Sequence, residues 1–180
     1  FSIDYDLKEG FIDVATNRKH MDELIDRSEE WKQSGYHHNL ELVDENQVKK
    51  YVNSDSYVGG LIDSGSGHIH PINLCLGEAK AASELGVMIY EDTHAVKILG
   101  GSPSKVATED GIIESDYIVI AANAYIGDLN KKLRRMVMPA ASCIIATESL
   151  SNELAEKVIP SDMAVCDQNT ILDYLISNYE

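Results

Sequence analysis

"DSGSGHIHPINLCLGEAKAASELG" (63–86) joins a strand-like run to a helical one, and its reading decides the fold. Before it, "YVGGLI" (57–62) is apolar and β-rich. Within it, Pro71 suits the first turn of a helix, where its missing N–H would be unpaired anyway. Ile72, Cys75, Leu76, Ala79, Ala82 and Leu85 then fall on one stripe, and Gly86 ends it. The small alanines of that stripe predict close approach to a sheet, and the apolar setting of Cys75 predicts a core thiol rather than a nucleophile. Gly65 and Gly67 predict a place where the backbone turns. His68 and His70 stand on one face of an extended chain, because side chains alternate with period two. The pair can serve as metal ligands, as part of a phosphate-cradling turn, or as a structural junction.

Working outward, the pattern alternates between the two periods. "GFIDVAT" (10–16) reads as a strand. A helix follows over 17–35, with Met21, Leu24, Ile25, Ser28 and Trp31 at helical spacing, Thr16 or Asn17 as cap and Gly35 as stop. "LELVD" (40–44) reads as a short strand and 44–52 as a short helix capped by Asp44. Downstream of the junction, 87–93 and 94–101 read as strands. Three more follow in 105–125, with a tight turn at Asp110–Gly111. The most apolar stretch is "YIVIAANA" (117–124), and Ile118 to Ala122 suits a strand buried on both faces of a sheet. A short helix over 127–136, a strand over 141–148, a capped helix over 151–159 and a strand over 171–180 complete the chain. The fold class is α/β with α+β character.

Composition narrows the partners. The chain has 180 residues, 44% of them hydrophobic and 25% charged, enough for a real core. The formal net charge of −15 repels phosphate backbones and anionic membranes, so nucleic-acid binding is not expected, and cationic small molecules are mildly favoured. Cys75, Cys143 and Cys166 are odd in number and contain no CxxC pair, which points to free thiols and a cytoplasmic setting. No apolar run is long enough for a membrane span, and no signal peptide is present. The first residue is Phe1, and "FSIDYDLKEGF" (1–11) reads as the middle of a longer chain.

The residues themselves disfavour most familiar chemistries. A hydrolase using His68 and His70 would be similar to the amidohydrolase opening, but Asp63 lies five residues before His68, too far for that pattern. His94 is the only later histidine, so further ligands are lacking, and no metal is expected. "DSGSGH" lacks the Lys-Ser/Thr ending of a phosphate loop, and no GxGxxG occurs anywhere. Ser66 near His68 has no GxSxG elbow.

The order of features does carry a likeness. Residues 63–98, a following hairpin and "YIVIAANAYIGDL" (117–129) resemble the FAD-dependent oxidoreductases of the D-amino-acid oxidase (DAO) superfamily, most closely the γ-glutamylputrescine oxidase group. "SGHIHPINL" resembles the family's crossing into a flavin-domain helix, and "LGVMIYEDTHAVKI" a strand element whose backbone passes the adenine. "DLKEGFIDVAT", "YVGGL" and "IIATESL" fit the same subgroup. The resemblance implies a partial FAD-binding domain at 67–133, interleaved with an antiparallel-sheet substrate domain at 1–66 and 134–180. Ala95 and Val96 would then offer backbone to the adenine, and Ala121, Ala122 and Asn123 would line the cofactor. His68, His70, Cys143 and Ile145 become substrate-side candidates. It implies oxidation of an amine or amino acid by hydride transfer to FAD, with oxygen as acceptor and no catalytic side chain identified. Because the GxGxxG unit is missing, the 180 residues alone are not expected to hold FAD, and flanking segments of the same chain would complete the site. Two other readings stay open: a non-catalytic α/β binding module and the metal-dependent hydrolase.

Overall fold

Strand β1 (Lys8–Ala15) is nearly continuous in burial from Gly10 onward, because it has neighbours on both edges and cover on both faces. The computed structural model describes residues 1–169 and 174–176. It divides into two compact units, Phe1–Leu85 with Thr147–Glu180, and Gly86–Ala146. The resemblance implies boundaries by function at 66/67 and 133/134, a different criterion from compactness.

In the first unit β1 pairs antiparallel with β3 (Gly59–His68), which pairs antiparallel with β2 (Leu40–Asp44). On its other edge β1 pairs in parallel with β7 (Ala164–Asp167), which pairs antiparallel with β8 (Tyr174–Leu175). The order is β2-β3-β1-β7-β8. Alternation sends Ile12, Val14, Ile62 and Val165 to one face, where they pack with Val43, Val48, Val52 and Ile159. Ala15 and Leu61 go to the other face with Leu40, and there they meet Leu24 of helix α1 (Arg18–Gln33).

Local chemistry sets the helix ends. The Asn17 side chain caps α1 by accepting the His20 N–H at 3.0 Å, and Gly35 follows the last turn at φ 84°. Helix α2 (Glu45–Val48) opens on a capping box between Asp44 and Gln47. Helix α5 (Asn152–Val158) is capped by Ser151. Strand β7 was not anticipated from the sequence. Of the strand expected over 171–180, only 174–176 lie within the described residues.

Helix α3 (Pro71–Glu84) starts at Pro71 as expected, but it has no buried residue, and Cys75 on its stripe is exposed. The sheet expected beneath its alanines is not there. Instead the amino-terminal segment runs along it: Tyr5 O accepts the His70 N–H at 2.8 Å, and a Cβ on Gly77 would meet Ile3 Cγ2 at 2.2 Å. The glycines before α3 also act differently from expectation. β3 continues to His68, and a Cβ at Gly67 would meet the Lys8 carbonyl oxygen at 2.3 Å. Close approach of two strands, not a turn, requires glycine there.

The second unit holds a three-stranded antiparallel sheet of β4 (Ala95–Leu99), β5 (Ser104–Thr108) and β6 (Ile112–Ser115). At the expected Asp110–Gly111 turn, Thr108 Oγ1 accepts the Gly111 N–H at 3.1 Å. Three expected strands do not form. Residues 87–93 are irregular, with a turn at 91–92. Ile118–Ala122 joins no sheet, and Val119 is 88% exposed, so this segment is not the doubly buried strand its composition suggested. Residues 141–148 also lack a strand and are exposed throughout. In all three, β-forming side chains are present but no ladder partner is among the described residues. A 3-10 turn over Asn123–Ile126 follows the apolar run, and α4 (Lys131–Arg134) is capped by Asn130.

Two expected outcomes follow. Arg27 Nη1 donates to Asp13 Oδ2 at 3.1 Å, and Gln168 Nε2 donates to Oδ1 at 2.8 Å, inside the contact between α1 and β1. Burial pushes the Asp13 carboxyl above its usual range, and Arg27 and Gln168 only partly offset this. Replacing Arg27 by Leu leaves that carboxylate under-satisfied and should cost about 1–3 kcal/mol near neutral pH in urea unfolding. A raised folded-state pKa means the native state binds protons more tightly, so the cost should shrink as pH falls and Asp13 becomes neutral. A loss of the same size at every pH would contradict this. Asn123 holds φ 46° in the left-handed region. Asn123→Val should therefore destabilise by about 1–2 kcal/mol, whereas Asn123→Gly should be close to neutral, both read from thermal unfolding.

Candidate functional site

Ile118–Ala122 has no regular secondary structure, with Ile118 and Ile120 half-buried and Val119 exposed. Together with Ala95, Ile98, Val106 and Leu129 this segment lines an apolar concavity of about 240 Å³. Ala95, Ala121 and Ala122, 27 or fewer residues apart in sequence, thus share one wall. Val96, the next residue of β4, is exposed on the opposite side of the alternation and does not line it. Asn123 opens the 3-10 turn directly after the wall, and Tyr125 N–H donates to Ala122 O at 2.9 Å to close it.

A flavin nucleotide has a flat ring portion, an adenine and a diphosphate, and these ask for different surroundings. The concavity offers small and aliphatic side chains only, which fit a planar ring or hydrocarbon portion. No cationic side chain lines it, and no glycine-rich turn with a long helix behind it occurs in the sequence to grip a diphosphate. The wall fits part of the group and not the whole.

The substrate-side candidates do not gather. The His68 ring donates from Nε2 to the Asp162 carbonyl at 3.0 Å, on the tautomer that bond requires. The His70 ring accepts the Asn73 N–H on Nδ1 at 3.2 Å and is the N-cap of α3. Both rings fasten the exit of β3 to its surroundings, so "SGHIHP" is a junction. A histidine directly before a proline at a helix start was the available signal for that cap. Cys143 is exposed and Ile145 is 92% exposed, in the stretch where the expected strand is absent. Among the described residues, no three His, Cys, Asp or Glu side chains come together as metal ligands. Within the same limits, no helix is long and apolar enough to cross a membrane.

Sequence reasoning missed the buried polar groups. Asp13 and Asp63 interrupt the apolar runs "GFIDVA" and "GGLID", and each is held by a network. Burial pushes the Asp63 carboxyl up, but hydrogen bonds from Ser66, Tyr36 and the Gly65 N–H, with the nearby His38, outweigh it and set it below the usual range. Tyr36 is pushed up by burial and by its bond to that carboxylate. The Cys166 thiol, unlike Cys75 and Cys143, is buried, and burial raises its pKa. A charged residue inside a doubly covered strand was the one available signal for both networks.

Comparison with known proteins gives the family. The family described as FAD dependent oxidoreductase (DAO) matches residues 1–179. The chain is 41% identical over 179 residues to the probable oxidoreductase OrdL of Haemophilus influenzae, covering 97% of this chain and 42% of that protein. It is 39% identical over 175 residues to the γ-glutamylputrescine oxidoreductase of Escherichia coli, covering 97% and 41%. The chain therefore spans about two-fifths of the length of these curated relatives. Among solved structures, L-proline dehydrogenase from P. horikoshii aligns with a TM-score of 0.73 over 97% of this chain and 47% of that one, at 17% identity. That likeness speaks to the fold alone. Glycine oxidase from Geobacillus kaustophilus aligns with a TM-score of 0.66, covering 73% and 36% at 24% identity. The alanine-lined wall, the junction at His68–Pro71 and a match running through residue 179 lead to one statement: this chain belongs to the DAO family of FAD-dependent oxidoreductases.

Proposed function

We propose that this chain supplies one wall of the flavin cleft, with much of the substrate domain, of an oxidoreductase acting on an amine of the γ-glutamylputrescine kind. The observation that supports this best is the convergence of Ala95, Ala121 and Ala122 on one apolar concavity, followed at once by the turn at Asn123. Methyl side chains there leave the backbone open to a large flat ligand. Val96, facing away, contributes backbone only. In this reading 67–133 belongs to the flavin domain, 1–66 and 134–180 to the substrate domain, and the three free thiols go with a cytoplasmic setting.

When bound, FAD supplies the redox chemistry: it accepts a hydride from the amine-bearing carbon, water hydrolyses the resulting imine, and oxygen takes the electrons as hydrogen peroxide. The part of this chain is to hold and exclude. The apolar wall keeps water from one side of the cofactor, and the His68 and His70 anchors fix the start of α3. Cys143 and Ile145 remain candidates for the substrate side. The diphosphate finds no grip within these residues, so the glycine-rich turn belongs to the same protein outside the 180 residues. The relatives' greater length accords with this. Likeness at 39% identity to a γ-glutamylputrescine oxidoreductase favours that substrate class over free amino acids.

The test is to express the gene's whole reading frame beside this chain. The whole protein should be yellow with bound flavin and should release hydrogen peroxide with γ-glutamylputrescine faster than with glycine or proline. The 180-residue chain should lose added FAD on gel filtration. In the whole protein, Ala122→Leu should fill the concavity and weaken flavin retention about ten-fold or more without changing the circular dichroism. Full FAD retention by the 180 residues, or unchanged retention in the variant, would overturn the assignment of the wall. Preference for glycine or proline would overturn the substrate class.

A further inference from the structure

A second concavity, of about 410 Å³, lies where the end of α1 meets the end of β3 and is lined by Trp31, Ser34, Gly35, Tyr36, Asp63 and Ser66. We propose that it binds a small alkylammonium ion, with Asp63 as the anion and the rings of Trp31 and Tyr36 as its walls.

Asp63 is only 5% exposed. It accepts the Tyr36 hydroxyl at 2.7 Å on Oδ1 and 2.9 Å on Oδ2, the Gly65 N–H at 2.9 Å and the Ser66 hydroxyl at 2.5 Å. These donors hold it ionised, together with the neighbouring His38, whose ring lies 5.2 Å from that of Tyr36. Asp13 on the same sheet face has Arg27; among the described residues Asp63 has no lysine or arginine ion pair. A buried carboxylate without a full counter-charge is expensive, and a cationic ligand relieves that cost. Its two oxygens offer about four lone-pair positions, and the three donors touch all of them only because the single Tyr36 hydroxyl proton bridges both oxygens, so an incoming N–H can take one half of that bridge.

The remaining geometry selects the class of cation. The one position that the Tyr36 bridge can yield suits a single ammonium N–H and not the paired fork of a guanidinium. A hard divalent ion would need about six oxygen ligands, and two of the lining residues, Trp31 and Tyr36, are aromatic. The Trp31 and Tyr36 rings lie 5.5 Å apart at 57° and both line the concavity, so a cation held in it has aromatic rings among its neighbours as well as the carboxylate. The volume is of small-molecule size, and the formal charge of −15 attracts cations. None of the flavin-wall alanines takes part, so this site stands or falls separately from the proposed oxidation.

Trp31 is the single tryptophan of the chain, which makes its emission a local probe. The experiment titrates the chain with n-butylammonium chloride at pH about 8, where an ordinary imidazole is uncharged. Sodium chloride at matched ionic strength and neutral n-butanol are the controls. A saturable change in emission with half-saturation at about millimolar concentration or below is expected for butylammonium alone. Asp63→Asn, checked for folding by circular dichroism, should weaken it at least about ten-fold. If that variant fails to fold, the comparison of butylammonium with butanol on the unaltered chain decides. A non-saturating response, an equal response to butanol, or undiminished binding by folded Asp63→Asn would overturn the proposal.

Discussion

The ladder that seats β1 between β3 and β7 is the constraint on which the larger unit depends. Ile12 pairs with Ile62 on one edge and with Val165 on the other, so β1 reaches across about 150 residues of sequence to β7. Closing so long a loop costs entropy that local contacts do not recover. The recovery comes from two apolar clusters, one on each sheet face, which both draw residues from β1. Gly67 belongs to the same constraint, because the strands approach too closely beside Lys8 for any side chain. So does Asp13: a carboxylate in a doubly covered strand can persist only with Arg27 and Gln168 upon it.

The apolar run of the smaller unit obeys the opposite logic. Ile118–Ala122 is as apolar as any strand in the protein, yet it ladders with nothing among the described residues, and Val119 is 88% exposed. Exposed apolar surface of this kind marks a place that meets another group or chain segment. α3 is similar, with Ile72, Leu76 and Leu85 uncovered. Each of these two features lies uncovered within its own unit. That is the state in which a wall must be before the rest of a cleft is added.

Legibility in the sequence followed the range of the forces. The helices α1, α2, α3 and α5 were readable because caps and stops act within four residues: Asn17, Asp44, Ser151 and Pro71 each announce a start. β1, β2 and the β4–β6 hairpins were readable from composition and turns. β7 was not, since "AVCD" is four residues with no flanking signal, and only its pairing with β1 makes it a strand. The converse error at 87–93, 118–122 and 141–148 has the same origin: propensity supplies a preference, and a partner supplies the strand. The site divides likewise. Ala95, Ala121 and Ala122, which line one concavity, were singled out through family resemblance alone, since no local chemistry distinguishes an alanine. The roles of His68 and His70 as anchors, and of Tyr36 and Ser66 on Asp63, rest on contacts between distant positions that no spacing rule contains.

Native-state amide hydrogen exchange on the 180-residue chain compares the two logics in one measurement. The amides of Ile12, Val14 and Val165 should exchange slowest, at the rate of global unfolding, while those of Val119, Ala121, Ile144 and Ile145 should exchange close to the rate of an open chain. Protection at 118–122 as strong as that of β1 would mean that the apolar run is already a covered strand, and the contrast between a seated sheet in one unit and an open apolar run in the other would be wrong.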